Sequence, residues 1–122
     1  MGENFNQKIN LPFNIKSLRL DTNNGSFAEY LPDTIEELNL WYNFNLDLNN
    51  LPSSIKKINF YRYHMYNREL NCLPNGLSIL KLPYEYDKRI CSIPCALKKL
   101  ICSKDYPYIG DFNGIEVETY LE

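Results

Sequence analysis

At 122 residues and a net charge of −2 at pH 7, the chain is sized for a single domain with its own core. Its acids and bases are interspersed, which excludes the basic stripe of a nucleic-acid binder and a polybasic membrane patch. An apolar share of 44% argues against wholesale disorder, and no apolar run is long enough to cross a bilayer.

The chain opens on Met1-Gly2-Glu3-Asn4-Phe5-Asn6, with no charged segment followed by an apolar one, so no secretory signal is expected. Asn6 also breaks the myristoylation pattern. Four cysteines without an export signal read as reduced thiols. The expected compartment is intracellular and cytoplasmic, with a virion left open. Asn24-Gly25-Ser26 reads as a turn rather than a glycosylation site.

The first anchor is Leu11-Pro12, and it returns as Leu31-Pro32, Leu51-Pro52, Leu73-Pro74 and Ile93-Pro94, at spacings of 20, 20, 22 and 20 residues. Such self-similarity is the mark of a repeat architecture. Four residues past each anchor stand Ile15, Ile35, Ile55, Leu77 and Leu97. Seven past it stand Leu18, Leu38, Ile58, Leu80 and Leu100, and nine past it Leu20, Leu40, Phe60, Leu82 and Cys102. Ala28, Leu48, Leu70 and Ile90 form a further column three residues before the later anchors.

The columns seven and nine past the anchor alternate with polar residues, as in a strand with one buried face. The column at four is too far back for the same pleat and must turn inward from a bend. Proline, with φ fixed and no N–H, suits that corner. A lone coil cannot enclose these side chains; stacked coils bury each column and pair their strands in parallel. Segments such as Trp41-Tyr42-Asn43-Phe44-Asn45-Leu46 hold no 3.6-residue period, so extended chain or single helical turns are expected there.

The expected fold is therefore a mainly β leucine-rich-repeat solenoid, with a parallel sheet on the concave face and extended or single-turn helical segments on the convex face. One domain spans 1–122. It comprises an N-terminal half-repeat cap over 1–10, five repeats over 11–110 and a degenerate capping repeat over 111–122, whose Glu116 and Glu118 share a face and point to water.

Leu51-Pro52-Ser53-Ser54-Ile55-Lys56-Lys57-Ile58, with Phe5-Asn6-Gln7 and Phe44-Asn45, resembles the FNIP repeat. This is a leucine-rich-repeat relative of social amoebae and of giant viruses of amoebae. The likeness covers about residues 5 to 104 and implies a protein-interaction module without catalytic residues. Viral members of the family often carry an F-box ahead of the repeats, implying an adaptor for a ubiquitin ligase. Only ten residues precede Leu11, so an interaction module without an F-box is expected here.

Strand residues six, eight and ten past the anchor point away from the core. They read Ser17, Arg19, Asp21; Glu37, Asn39, Trp41; Lys57, Asn59, Tyr61; Ile79, Lys81, Pro83; and Lys99, Ile101, Ser103. One step further lie Tyr42, Arg62 and Tyr84. Trp41, Tyr42, Tyr61, Arg62 and Tyr84 converge on one sheet edge, beside Arg19, Asn39, Asn59 and Lys81. Trp, Tyr and Arg dominate interface hot spots, which makes this a candidate site for a protein partner. The alternative is that the aromatics fold over the strand ends as packing. Exposure of Trp41 and Tyr61 separates the two.

Chemistry is thinly represented. Cys91-x3-Cys95 has a zinc-like spacing, with Cys72 one coil earlier. These three are weak metal candidates; buried small residues are the preferred reading for all four cysteines, Cys102 in a core column included. His64, the single histidine, sits among tyrosines where solvent exposure is expected, and no triad or phosphate-loop motif accompanies it. The function expected is an adaptor or recruiter binding a protein partner, not an enzyme, with no cofactor, no metal and no membrane. A structural or assembly subunit, such as a virion component or a self-associating homo-oligomer, stands second. Zinc binding stands third, and nucleic acid ranks below protein as a partner because Asp21 and Glu37 interrupt the cations of the face.

Overall fold

The computed structural model describes residues 15–21 and 31–120. Six short strands run through them: β1 (Ser17–Leu20), β2 (Glu37–Leu40), β3 (Lys57–Phe60), β4 (Ile79–Lys81), β5 (Lys99–Cys102) and β6 (Glu116–Thr119). They form one parallel sheet in sequence order, β1 to β6. The expected Leu11-Pro12 anchor, the cap over 1–10, the Asn24-Gly25 turn and Ala28 lie outside the described residues.

Register follows the repeat. Leu18, Leu38, Ile58, Leu80, Leu100 and Val117 are successive partners across the sheet. All of these but Val117 are buried, as are Leu20, Leu40, Phe60, Leu82 and Cys102. The result is a stack of coils, each sealing its neighbour's apolar columns. Outside the strands the described chain is extended or turning, with a single 3-10 turn at Ile109–Asp111.

Each coil bends twice. Before the strand, the carbonyl of Pro32, Pro52, Pro74 or Pro94 accepts from the N–H three residues on, at 3.1–3.4 Å. That turn aims Ile35, Ile55, Leu77 and Leu97 into the core, as the column four past the anchor requires. Thr34 and Ser54 brace the corner by donating to the carbonyls of Ile15 and Ile35, one coil back, at 3.0 and 2.7 Å. After the strand, the carbonyls of Trp41, Tyr61, Pro83 and Ser103 accept from Phe44, His64, Tyr86 and Tyr106. These four are buried, a second corner column that alternation alone does not reveal.

The two-residue surplus of the third coil is absorbed beyond that second corner. Ile58 still pairs with Leu80, so the strands never feel the insertion. His64 and Tyr66 both turn inward and only Met65, at 74% exposure, points out. Tyr66 takes the place in the stack that its neighbours fill from the corner itself. Its ring lies 5.9 Å from Phe44 at an interplanar angle of 28°, and its hydroxyl donates to the Leu46 carbonyl one coil back at 2.9 Å. Tyr86 and Tyr106 repeat the device, donating to Arg68 and Lys88 at 2.8 and 2.7 Å. Each hydroxyl satisfies a carbonyl that the strandless outer side of the coil would otherwise leave open. Burial raises the pKa of all three phenols well above the usual range, so they stay protonated donors.

Two departures from regularity have local causes. β4 has three residues where its neighbours have four. Trp41, Tyr61 and Tyr120 extend their rungs by donating their N–H to the last strand residue of the preceding coil; Pro83, in the same column, has no N–H to give. The step from β5 to β6 is only 17 residues, Lys99 to Glu116. It is closed by the 3-10 turn and by Gly114, whose φ of +78° is left-handed backbone that suits glycine.

Leu40→Ala, in a fully buried column, is expected to cost about 2–5 kcal/mol of stability. Met65→Ala, on the exposed tip of the insertion, is expected to stay within about 0.5 kcal/mol. Urea unfolding followed by circular dichroism checks both, and similar costs at the two positions would contradict the stacked register.

Candidate functional site

The outward strand residues and the rim that follows them frame a groove of about 560 Å³. Its floor is Asn39, Lys57, Asn59, Ile79, Lys81, Lys99 and Ile101, and its wall is Trp41, Tyr61, Arg62 and Tyr63. The floor residues occupy alternate strand positions whose inward neighbours fill the core, so the pleat that builds the core also presents them.

The wall is a ladder of rings. Trp41 and Tyr61 are register partners one coil apart, and their rings stack at 4.9 Å with 13° between planes. That distance matches the roughly 4.8 Å rung of a sheet, so the stacking follows from the register. From the coil before, the Arg19 guanidinium covers the other side of Trp41, 4.9 Å from the ring centroid. Tyr42 and Tyr63 flank Tyr61 at 5.8 and 5.9 Å. Trp41 is 36% exposed, Tyr42 64% and Tyr63 60%, and Tyr61 is half-buried. Of the two rings that separate binding from packing, Trp41 is exposed and Tyr61 half-buried, so the pair is not sealed into the coil edge.

The floor is polar and ordered. Asn59 donates to the Asn39 amide oxygen at 2.9 Å and to Glu37 at 3.3 Å, and Asn39 donates to Ser17 at 3.5 Å. Lys99 is engaged by β6: Glu118 lies at 2.9 Å and Glu116 at 3.9 Å. The hydrogen bond and charge of Glu118, with the nearby charge of Glu116, hold the Lys99 ammonium above its ordinary pKa. The two acids face water and also neutralise one cation of the face.

Arg62 and Tyr84 belong to the far end of the wall, where they meet a residue that the repeat pattern passed over. Tyr120 follows β6 in the column of Trp41 and Tyr61. Its ring lies 4.7 Å from the Arg62 guanidinium and 6.0 Å from Tyr84, and its hydroxyl donates to the Leu82 carbonyl two coils back at 2.7 Å. The side chain and its 2.7 Å hydrogen bond together bridge the two rungs, so the ring crosses the level of Ser103. Pro83 and Ser103, expected on the open face, are accordingly buried. The coil offsets would have placed Tyr120 beneath them had the last repeat kept its anchor.

Two further expectations are corrected. His64 is buried at 4% exposure rather than open to solvent. Its Nδ1 accepts from the Tyr66 N–H at 2.9 Å, and Phe60 and Tyr66 meet it edge-on. Burial lowers its pKa below the ordinary value, against the opposing pull of the Phe44 and Trp41 backbone and of Asp21. Cys72, Cys91 and Cys95 are exposed rather than core residues, because Cys72 and Cys91 precede the anchor outside the strands and Cys95 sits at the tip of the Pro94–Leu97 turn. Cys102 is buried as its column demands, and its thiol is pushed up to about 11. Among the described residues, no three His, Cys, Asp or Glu side chains gather as a metal site would require, and no helix is long and apolar enough to cross a membrane.

No protein-family model, curated protein or solved structure matches the chain.

The buried neutral histidine carries a pH signature. Its folded pKa lies below the unfolded value near 6.5, so below that pH the unfolded chain binds a proton that the folded chain does not. Stability is then lost as pH falls. Between pH about 7 and about 5.5 the urea midpoint of the wild type is expected to drop, and that of His64→Gln, which cannot titrate, to drop less; parallel profiles would remove His64 as the cause.

Proposed function

We propose that the chain is an FNIP-type leucine-rich-repeat solenoid that binds a protein partner through its concave face, as an adaptor or recruiter rather than a catalyst. The observation that carries this reading is the ring ladder beside an open groove, in which Trp41, Tyr42 and Tyr63 are exposed around the half-buried Tyr61. Large aromatics left at a rim rather than folded into the core are what interface hot spots are made of. The Leu-Pro/Ile/Leu columns and the Ser-Ile-Lys segment at residues 54–56 supply the family likeness. The solenoid stacking and parallel sheet are those such a family would need.

Self-assembly is the second reading and has less support. β6 ends the described sheet, but Glu116 and Glu118 stand exposed on it, and charge on an edge strand opposes pairing with another copy.

A pull-down from the source cells with wild-type chain and with Trp41→Ala/Tyr61→Ala tests the proposal. Both rings are rim residues outside the buried columns, so the double variant is expected to fold and to lose most of the recovered partner, a drop of at least about tenfold in affinity for a hot-spot pair. Equal recovery would reject the ladder as the binding surface.

A further inference from the structure

The groove is more selective than an aromatic patch. In a chain of net charge −2, the residues lining this groove include four cations, Lys57, Arg62, Lys81 and Lys99, and no acid. Lys99 is neutralised by Glu116 and Glu118. Among the described residues, neither Lys57 nor Lys81 has a carboxylate within salt-bridge distance. Both lysines line the groove from adjacent strands, Lys57 beside its register partner Glu37 and Lys81 with its ammonium 5.8 Å from the Tyr120 ring centroid, and Ile79 and Ile101 stand with them on the floor.

The rings add a second constraint. Trp41 is sandwiched, with Arg19 on one face and Tyr61 on the other. Tyr61 is stacked on Trp41 and flanked by Tyr42 and Tyr63. The Trp41 faces that a nucleobase would stack on are already occupied, which disfavours single-stranded nucleic acid. What the stacked Trp41–Tyr61 pair offers is ring edges, the positive part of the aromatic quadrupole, which attract oxygen atoms bearing negative charge.

Taken together, the geometry points to an acidic peptide as the occupant: an extended segment placing Asp or Glu carboxylates against Lys57, Lys81 and the ring edges, with an apolar side chain over Ile79 and Ile101. This rests on the reading of the groove as a protein-binding surface and specifies the chemistry that surface selects.

Panning a random dodecapeptide phage library on the full chain, in parallel with a Lys57→Glu/Lys81→Glu version, tests it. Sequences enriched on the wild type are expected to carry Asp and Glu at about twice their share in the unselected library or more. A synthetic copy of the leading sequence is expected to bind the reversed variant at least about tenfold more weakly at low salt. Lys57→Gln/Lys81→Gln, which removes charge without adding any, should give a smaller loss, and it decides the matter if the reversed chain does not fold. Trp41, the only tryptophan, reports occupancy by fluorescence. Enrichment of neutral or basic sequences that shift Trp41 emission overturns the acidic specificity and leaves the protein-binding reading standing. A failure to enrich any peptide overturns both, and a twelve-residue oligothymidylate that shifts the emission in its place would identify the competing class of ligand.

Discussion

Parallel pairing in register sets each residue of a coil beside its counterpart in the next, about 4.8 Å away. The molecule's other regularities descend from that superposition. Apolar side chains become continuous buried ladders, while the polar positions between them become rows on an open face. Asn39 bonds to Asn59, and Trp41 stacks on Tyr61, because each pair is a pair of neighbours on adjacent rungs. Backbone groups are satisfied in the same way. The Lys16, Glu36, Lys56 and Ser78 carbonyls each accept from two consecutive N–H groups at the start of the next strand, so the turns as well as the strands are tied coil to coil.

The outer side has no sheet to supply such bonds, and here side chains do the work of backbone. The phenols of Tyr66, Tyr86 and Tyr106 each reach back one coil to a carbonyl. Arg68 pairs with Asp47, and Arg89 forms a two-point pair with Asp111. The charged pairs are exposed and count for little individually. The buried tyrosines, which combine apolar area with a satisfied hydroxyl, carry more.

The strand columns were legible in the sequence because their period is nearly constant and their residue types are narrow: Leu, Ile and Phe at seven and nine past the anchor, with Cys102 the one exception. The inward bend at four was legible because proline marks the corner. The aromatic column after the strand was harder to read. Phe44, His64, Tyr86 and Tyr106 all stand thirteen past an anchor, yet their chemistries differ, and the insertion places Tyr66 in the stack two residues late. His64 was misread because a polar residue among tyrosines in a loop resembles an exposed one; its burial depends on a turn that no alternation pattern reports. Of the nine candidate site residues, Arg19, Asn39, Trp41, Asn59, Tyr61 and Lys81 share one pleat parity, while Tyr42, Arg62 and Tyr84, one step further, follow the turn. Whether rings at a rim lie open or folded depends on three-dimensional neighbours, which is why Tyr120, beyond the last recognisable anchor, escaped notice while it closed over Pro83 and Ser103.

The reach of Tyr120 changes how such a stack behaves as a chain of units. In an ideal solenoid each coil senses only the ones before and after it, so its energetics follow a nearest-neighbour sum and the ends peel away one unit at a time. Here the Tyr120 hydroxyl bonds across an intervening coil to Leu82, and its ring meets Arg62 from a coil further still. Detaching β6 therefore severs links to three coils at once. The C-terminal half is coupled beyond adjacent units and resists stepwise fraying, and the lysine-bearing floor of the groove lies within that coupled block.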